Sequence, residues 1–263
     1  MYNIESQLLE IRKNYNLVEF KQDNGYIFYG EMQLNHKSNE IPLRDKFYIS
    51  MRVTYNYPND LPIVQDIDKK IEAGFHKNED DILCLACDTE IYIELKKREN
   101  VTISDFIELF LIPYFYSYTY YKKYGEVPFG QRGHGHKGIL EFYRERLNIS
   151  DKEIIFLLEY LGKGKYKGHH YCYCNSGKIT RKCHIKEINF LLNDIGRNRI
   201  FNDFASIVVG MKVEYDAEVK TKQNNRFQQI KKKRQERKMN YYLNPLKDKF
   251  SPKFSVYPWK YYL

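Results

Sequence analysis

The side chains best suited to covalent chemistry lie in the stretch GFHKNEDDILCLAC, residues 74–87. Cys84 could act as a nucleophile, which requires a thiol that is exposed and able to ionise. Asn78 precedes it by six residues and offers an amide donor to an oxyanion, and His76 could hold the loop by hydrogen bonding. A cysteine between leucines is also typical of a core, so a buried filler, a redox pair with Cys87, a metal ligand and a nucleophile are all open at this point.

A second group of reactive side chains lies in the stretch YCYCNSGKITRKCH, residues 171–184. One residue separates Cys172 from Cys174, and eight residues further on come Cys183 and His184. Thiolates and imidazole in a tetrahedral arrangement are ligands that zinc prefers, and the Ser-Gly turn lets the two pairs converge. Because all four ligands would come from the protein, we predict a closed, structural Zn²⁺ site.

This stretch resembles the SEC-C motif, the small zinc-binding element named after the C-terminal tail of the preprotein translocase ATPase. The likeness includes the Ser-Gly turn, the eight-residue gap, Lys182 before the last pair and the Cys-His ending. Two alternatives stay open: four reduced side chains without a metal, and His169 or His170 as a ligand in place of His184.

The composition is that of a globular protein, with 263 residues of which 43% are hydrophobic and 16% aromatic. The net charge of +9 is concentrated near the C-terminus, where nine Lys or Arg and one Glu lie between Lys220 and Lys238. Phe227 is the one aromatic residue in that segment, so a solvated helix face is the simplest interpretation and nucleic acid is not expected as a partner.

No apolar stretch of the sequence suits a secretory signal or a membrane span. We therefore expect a cytoplasmic protein with no membrane contact, whose five cysteines are reduced.

Around Cys84 the sequence predicts antiparallel strands between two helices. Alternating apolar residues predict the strands, and Pro58 and Pro62 end the second one. Thr102 and Asp105 give a weak capping signal for the second helix, and Pro113 disfavours helical geometry at Ile112. The predicted ranges are a helix at 4–15, strands at 25–35 and 46–58, a hairpin connection at 39–45, irregular chain at 63–97 and a helix from 102.

The C-terminal half is predicted to be helical. The glycine-rich stretch 129–138 is interpreted as a flexible connector near Cys84, and a capping box of Ser150 and Glu153 begins one helix. Further helices are predicted at 139–147, near 185–193 and around 213–240. We divide the chain into a domain at 1–125 and a helical, zinc-binding lobe at 126–263.

The first 120 residues or so resemble ubiquitin-conjugating enzymes. Tyr57, Pro58 and Pro62 match their Tyr-Pro-x-x-x-Pro motif, residues 76–78 resemble their His-Pro-Asn tripeptide, and ILCL around Cys84 resembles their active-site sequence. A lysine replaces the tripeptide's proline, and the usual tryptophan after the cysteine is missing, which points to divergent bacterial relatives. The resemblance implies an α+β fold, with an N-terminal helix, an antiparallel sheet and a following helix.

The resemblance also implies an activity. Cys84 would take a C-terminal acyl group as a thioester and pass it to an amine, Asn78 would stabilise the oxyanion, and Asp80 or Asp81 would deprotonate the amine. His76 would have a structural part in the catalytic site.

Partners follow from the same likeness. Bacterial members occur in anti-phage defence operons of the CBASS type, where relatives are thought to conjugate the C-terminus of a cGAS-like nucleotidyltransferase. The expected partner is therefore a protein that donates a C-terminal tail, either such a nucleotidyltransferase or a ubiquitin-like protein, with activation supplied by a separate enzyme. The alternatives are a non-catalytic binding module on the same fold, with Cys84 inert, and a nucleic-acid-associated zinc protein.

Overall fold

A four-stranded antiparallel sheet, in the order β1-β2-β3-β4, forms the centre of the N-terminal half. The strands are β1 (Val18–Gln22), β2 (Gly25–Ser38), β3 (Ile41–Thr54) and β4 (Ile63–Asp66). The computed structural model describes residues 4–38, 40–78, 80–128, 133, 135–174 and 176–249. With the helices given below, the fold class is α+β, as predicted.

The alternation predicted for β3 is confirmed, because Phe47, Ile49, Met51 and Val53 are at most 1% exposed. The predicted hairpin connection at 39–45 is wrong, since β3 begins at Ile41 and pairs with β2 from that residue. Two observations explain the difference. Leu43 is buried and continues the alternation, and β4 pairs with residues 49–52 of β3, so Pro42 lies at an edge, where a missing N–H is tolerated.

The prediction of irregular chain at 63–97 is also wrong. This stretch contains β4 and the helix α2 (Asp88–Lys96), and β1 is a further strand that the sequence did not predict. Both strands are short and lie at the edges of the sheet, where four of the five residues of β1 and two of the four residues of β4 are exposed, so the apolar pattern is weak. In α2 the buried residues contact two different cores, which removes the single apolar face that periodicity detects.

The helix predicted from residue 102 is present and begins with the expected capping box of Thr102 and Asp105. It consists of α3 (Ile103–Phe106), a π-helical turn (Ile107–Leu111) and α4 (Ile112–Tyr124). Ile112 is helical, so the effect predicted for Pro113 is wrong. The π turn is the physical reason, because it shifts the hydrogen-bond register just before the residue that lacks an N–H.

The remaining helices follow the predicted order with different ends. They are α1 (Leu8–Tyr15), α5 (His136–Leu147), α6 (Asp151–Gly162), α7 (Ile185–Phe190) and α8 (Arg197–Lys249). The capping box of Ser150 and Glu153 at the start of α6 is confirmed. In the described part of the chain, no helix is long and apolar enough to cross a membrane.

Two hydrophobic clusters lie within one compact unit, Met1–Gly210. We call them the sheet cluster, built from α1, the sheet, α3 and α4, and the helical cluster, built from α5, α6, α7 and the start of α8. Helix α2 joins both, since Ile91 belongs to the sheet cluster and Ile93 to the helical cluster. The domain boundary predicted after residue 125 stays a prediction. Met211–Leu263 forms a second unit, in which most side chains from 211 to 237 are exposed.

Candidate functional site

Backbone hydrogen bonds fix the position of Cys84 against β4. Leu83 N–H donates to Val64 O at 2.8 Å, and Cys84 N–H donates to His76 O at 2.8 Å. The hydroxyl of Tyr114 donates to the same His76 carbonyl at 3.1 Å. His76 adopts a left-handed φ of 37°, and these two bonds hold its carbonyl toward the thiol-bearing segment. The predicted role of His76, to hold the loop by hydrogen bonding, fits the two bonds that its main-chain carbonyl accepts.

Cys84 is half-buried and lines a cleft of about 1430 Å³. Its lining residues come from the loop 75–76, from α2 and α4, and from the starts of α5 and α8. Gly133, Gly135 and His136 are among the lining residues, which confirms that the glycine-rich stretch lies near Cys84. The other predicted parts of that stretch, 129–132 and His134, lie outside the described residues.

Asn78 lies on the same loop but is not among the residues that line this cleft. Its side-chain oxygen accepts the N–H groups of Asp80, at 3.0 Å, and Ile82, at 2.9 Å. These bonds shape the turn that leads to Cys84. An oxyanion role would require its amide nitrogen to reach the cleft, so the geometry supports loop shaping more directly.

Lys77 occupies the position at which the tripeptide motif has proline, and its side chain is 4% exposed. Its ammonium lies 3.2 Å from the fully buried carboxylate of Asp66 and 2.8 Å from that of Asp81. Burial alone would lower the pKa of Lys77, but the hydrogen bonds to Asp81 and Asp66 outweigh it and raise the pKa. A buried ion pair therefore underlies the loop.

Replacing Lys77 with alanine should lower the free energy of unfolding by about 3 kcal/mol, because the Asp66 carboxylate would stay buried without its cation. The matched control is Lys69→Ala, since Lys69 contacts the same Asp81 from a side chain that is 75% exposed. We expect less than about 1 kcal/mol there. Urea unfolding measures both, and equal losses in the two variants would contradict a buried pair.

Asp88, at the start of α2, is a cleft residue that the sequence did not single out. Asp88 is exposed to solvent but lies in the concave wall of the cleft. Burial there raises the pKa of its carboxyl group, and the positive charge of Arg199 offsets only part of the rise. Burial raises the pKa of the Cys84 thiol, the negative charge of Asp88 raises it further, and the Gly135 backbone opposes both. The raised pKa slows attack at neutral pH, yet it also makes the thiolate a poorer leaving group, which protects a thioester from hydrolysis.

Asp203, on α8, is a second carboxylate that sequence reasoning missed, and it is 5% exposed in the cleft wall. Its Oδ2 accepts the hydroxyls of Thr89 and Tyr143, each at 2.6 Å. Burial raises the pKa of Asp203 to about 6, although both hydrogen bonds lower it. These bonds tie the start of α2 to the helical cluster. Burial also raises the pKa of Cys87 to about 12, which favours an inert thiol.

The four predicted metal ligands come together. One ligand atom from each of Cys172, Cys174, Cys183 and His184 lies within 4.8 Å of the other three, and the group could hold a metal ion. Backbone bonds form the frame: Cys172 N–H donates to Lys178 O at 2.8 Å, and Cys183 N–H donates to Thr180 O at 3.0 Å. Helix α7 begins directly after His184.

The spacing of the ligand atoms fits a tetrahedral ion. Sulfur and nitrogen bound to zinc are separated by about 3.6 Å, and two bound sulfurs by about 3.8 Å, from the usual bond lengths. Here Nδ1 of His184 lies 3.2 Å from Sγ of Cys172 and of Cys183, and the sulfurs of Cys174 and Cys183 are 3.6 Å apart. Small shifts would therefore close the ligand shell.

No family model, curated protein or solved structure matches this chain. The function must therefore be argued from the chemistry of the cleft and of the Cys/His cluster.

Proposed function

We propose that the protein is a ubiquitin-conjugating-like transferase, in which Cys84 carries the C-terminal acyl group of another protein as a thioester and passes it to an amine. The observation that carries this proposal is the partly buried Cys84, which lines a cleft of about 1430 Å³, large enough to admit a polypeptide tail. The N-terminal helix, antiparallel sheet and following helix support the same assignment of fold.

The chemistry has two steps. The Cys84 thiolate attacks the carbonyl carbon of a donor thioester, and the donor's thiolate leaves with the electron pair of the broken C–S bond. A neutral amine then attacks the new thioester, an amide bond forms, and the Cys84 sulfur leaves and takes up the proton released by the nitrogen. A lysine arrives as an ammonium ion, so one proton must first pass to a base.

Asp88 is the carboxylate best placed to receive that proton, because its charge acts directly on Cys84 within the cleft. Of the two acids predicted from the sequence, Asp81 is paired with Lys77 and Lys69, and neither Asp80 nor Asp81 lines the cleft. We therefore assign the amine-deprotonating role to Asp88 and propose loop-positioning roles for His76 and Asn78.

The donor would be a protein with a free C-terminal tail, either a cGAS-like nucleotidyltransferase in an anti-phage (CBASS) setting or a ubiquitin-like protein. A separate activating enzyme would supply the energised acyl group. We propose Zn²⁺ for the Cys/His cluster, in a structural role, since thiolate and imidazole ligands suit it and the four protein ligands leave no open position.

A short peptide thioester provides the test without requiring the natural donor. Mixed with the wild-type protein, it should add the mass of one acyl group, and a small thiol should remove that mass. Lysine should also remove it, with formation of the peptide–lysine amide. Absence of any adduct over a range of neutral to mildly alkaline pH would contradict the proposal.

Replacing Asp88 with asparagine should affect the two steps in opposite directions. Loss of the negative charge lowers the pKa of Cys84, so acylation at a fixed neutral pH should be about twofold to threefold faster. Loss of the base should slow discharge onto lysine about tenfold. Single-turnover mass spectrometry measures both rates. Glu90→Gln, on the same cleft wall, is the matched control and should change neither; slowing of both steps by Asp88→Asn would indicate a merely structural effect.

The second candidate is a non-catalytic binding module on the same fold. The raised pKa of Cys84 favours it, because a protonated thiol is a weak nucleophile. Such a module would bind a partner tail in the cleft and form no adduct, so the peptide thioester experiment separates the two candidates.

A further inference from the structure

Residues 220–237 of α8 form an exposed and strongly basic part of the helix, which lies wholly within the second unit. Eight Lys or Arg and one acid, Glu236, lie in this range. Every side chain described there is exposed, including the apolar side chains of Phe227 and Ile230. Because these residues cover all sides of the helix, the described chain buries no face of this part of α8.

Side chains with amide groups share one face of this helix. Asn225, Gln228 and Gln235 follow one another at spacings of three and seven residues, which an α-helix places in one row. Lys232 lies in the same row, between Gln228 and Gln235. We call these four residues the amide stripe, which extends over about 15 Å of the helix axis. An amide offers a donor and an acceptor together, as the recognition of a base edge requires.

Two rows of basic residues flank the amide stripe, one on each side. The first basic stripe consists of Lys222, Arg226, Lys233 and Arg237, and the second of Lys220, Lys231 and Arg234. At about 100° per residue, each row lies roughly a third of a turn from the amide stripe, in opposite directions. The helix therefore presents uncharged hydrogen-bonding groups between two rows of positive charge.

Charges within the first basic stripe repel one another. Lys222 and Arg226 are four residues apart, as are Lys233 and Arg237, and like charges at this spacing destabilise a helix. Glu218 lies 3.5 Å from Lys222, but both side chains are more than two-thirds exposed, so this pair adds little. A ligand with two rows of negative charge would remove the repulsion on both sides of the amide stripe.

A B-form DNA duplex has this arrangement. Its major groove is about 12 Å wide and admits an α-helix, with base edges on the floor and a phosphate row at each side. The major groove of A-form RNA is too narrow to be read by side chains. A lipid surface requires an apolar helix face, whereas Phe227 and Ile230 lie among basic residues. The scarcity of aromatic residues, on which the expectation of no nucleic-acid partner depends, concerns single strands and not duplexes.

We propose that residues 220–237 of α8 bind in the major groove of duplex DNA. The amide stripe faces the base edges, and the two basic stripes contact the phosphates of the two strands. Asn225, Gln228 and Gln235 pair with adenine, and Lys232 pairs with guanine. The proposal is independent of the transferase function, because it uses no residue of the Cys84 cleft or of the Cys/His cluster.

Fluorescence anisotropy with the full-length protein tests the proposal. The probes are a 20-base-pair DNA duplex of random sequence, the matching RNA duplex, a single DNA strand and heparin as a polyanion without bases. We expect the DNA duplex to bind at least tenfold more tightly than the RNA duplex and the single strand. The logarithm of its affinity should fall with the logarithm of salt concentration at a slope of about −4 to −6, as expected when most of the seven basic residues of the two stripes contact phosphates.

Two variants separate base contacts from phosphate contacts, after a preferred sequence has been selected from a random duplex pool. Gln228→Ala should weaken binding to the selected duplex about tenfold and leave the random duplex unchanged. Arg226→Gln should weaken binding to both duplexes equally and reduce the salt slope by about one. Lys212→Gln, the same change of charge at an exposed position outside the segment, is the matched control and should alter neither. Alanine is the better helix former, so circular dichroism should show no loss of helix in Gln228→Ala.

Two results would overturn the proposal. The first is an absence of duplex binding at physiological salt. The second is equal binding of the DNA duplex, the RNA duplex and heparin, with no sequence enriched from the pool and no effect of Gln228→Ala, which would show attraction between charges alone.

Discussion

Alanine at position 84 is expected to abolish the thiol-sensitive adduct with a peptide thioester, while the protein stays folded. The adduct requires a sulfur nucleophile in the cleft, and Cys84 is placed there by backbone bonds to β4 and to His76. Its side chain is small and only partly buried, so truncation should cost about 1 kcal/mol of folding free energy. Intact-mass measurement and peptide mapping give the readout, and urea unfolding confirms the fold.

Cys87→Ala is the matched control for this experiment, because it removes a thiol from the same short segment. Burial raises the pKa of Cys87 to about 12, so that thiol should stay protonated, and the adduct should persist in the variant. An adduct that survives in Cys84→Ala, or that is lost in Cys87→Ala, would contradict the assignment of Cys84 as the nucleophile. A redox pair of the two thiols would instead require both residues.

Serine in place of Cys172 is expected to remove bound zinc and, with it, the fold of residues 139–200. Free energy of zinc binding to such sites is on the order of 10 kcal/mol, and it becomes folding free energy when the ligands come from loops. The loop between Cys172 and His184 has backbone bonds but few buried side chains of its own, and Cys172 is part of the helical cluster. Loss of the metal should therefore unfold this region, α6 and α7 included.

Elemental analysis should find about one equivalent of zinc in the wild-type protein. Hydrogen exchange across 139–200 reports the loss of protection in Cys172→Ser. His169→Ala is the matched control: His169 is exposed and outside the ligand group, so zinc content and protection should not change. A metal-free protein that keeps this region protected would rule out the zinc site.

Much of the local structure could be predicted because its signals lie within a few residues. The alternation in β3, the capping boxes at Thr102 and Ser150, and the ligand spacing from Cys172 to His184 each depend on neighbours along the chain. Alternation, capping residues and ligand spacing act between close neighbours in the chain, so they do not depend on how the rest of the protein folds. The misplaced start of β3 shows the limit, since proline at position 42 is tolerated because β4 pairs only with residues 49–52 and does not reach the second side of β3 at this point.

The amino-acid sequence by itself determined which side chains can do chemistry: a cysteine after a His-Lys-Asn tripeptide, and four zinc-type ligands at a spacing that lets them converge. The tertiary structure alone decided their surroundings. It placed Asp88 and Asp203 in the cleft with Cys84, and it buried Lys77 against Asp66. Electrostatic fields and burial depend on distance in space, and packing brings together residues that no pattern along the chain connects.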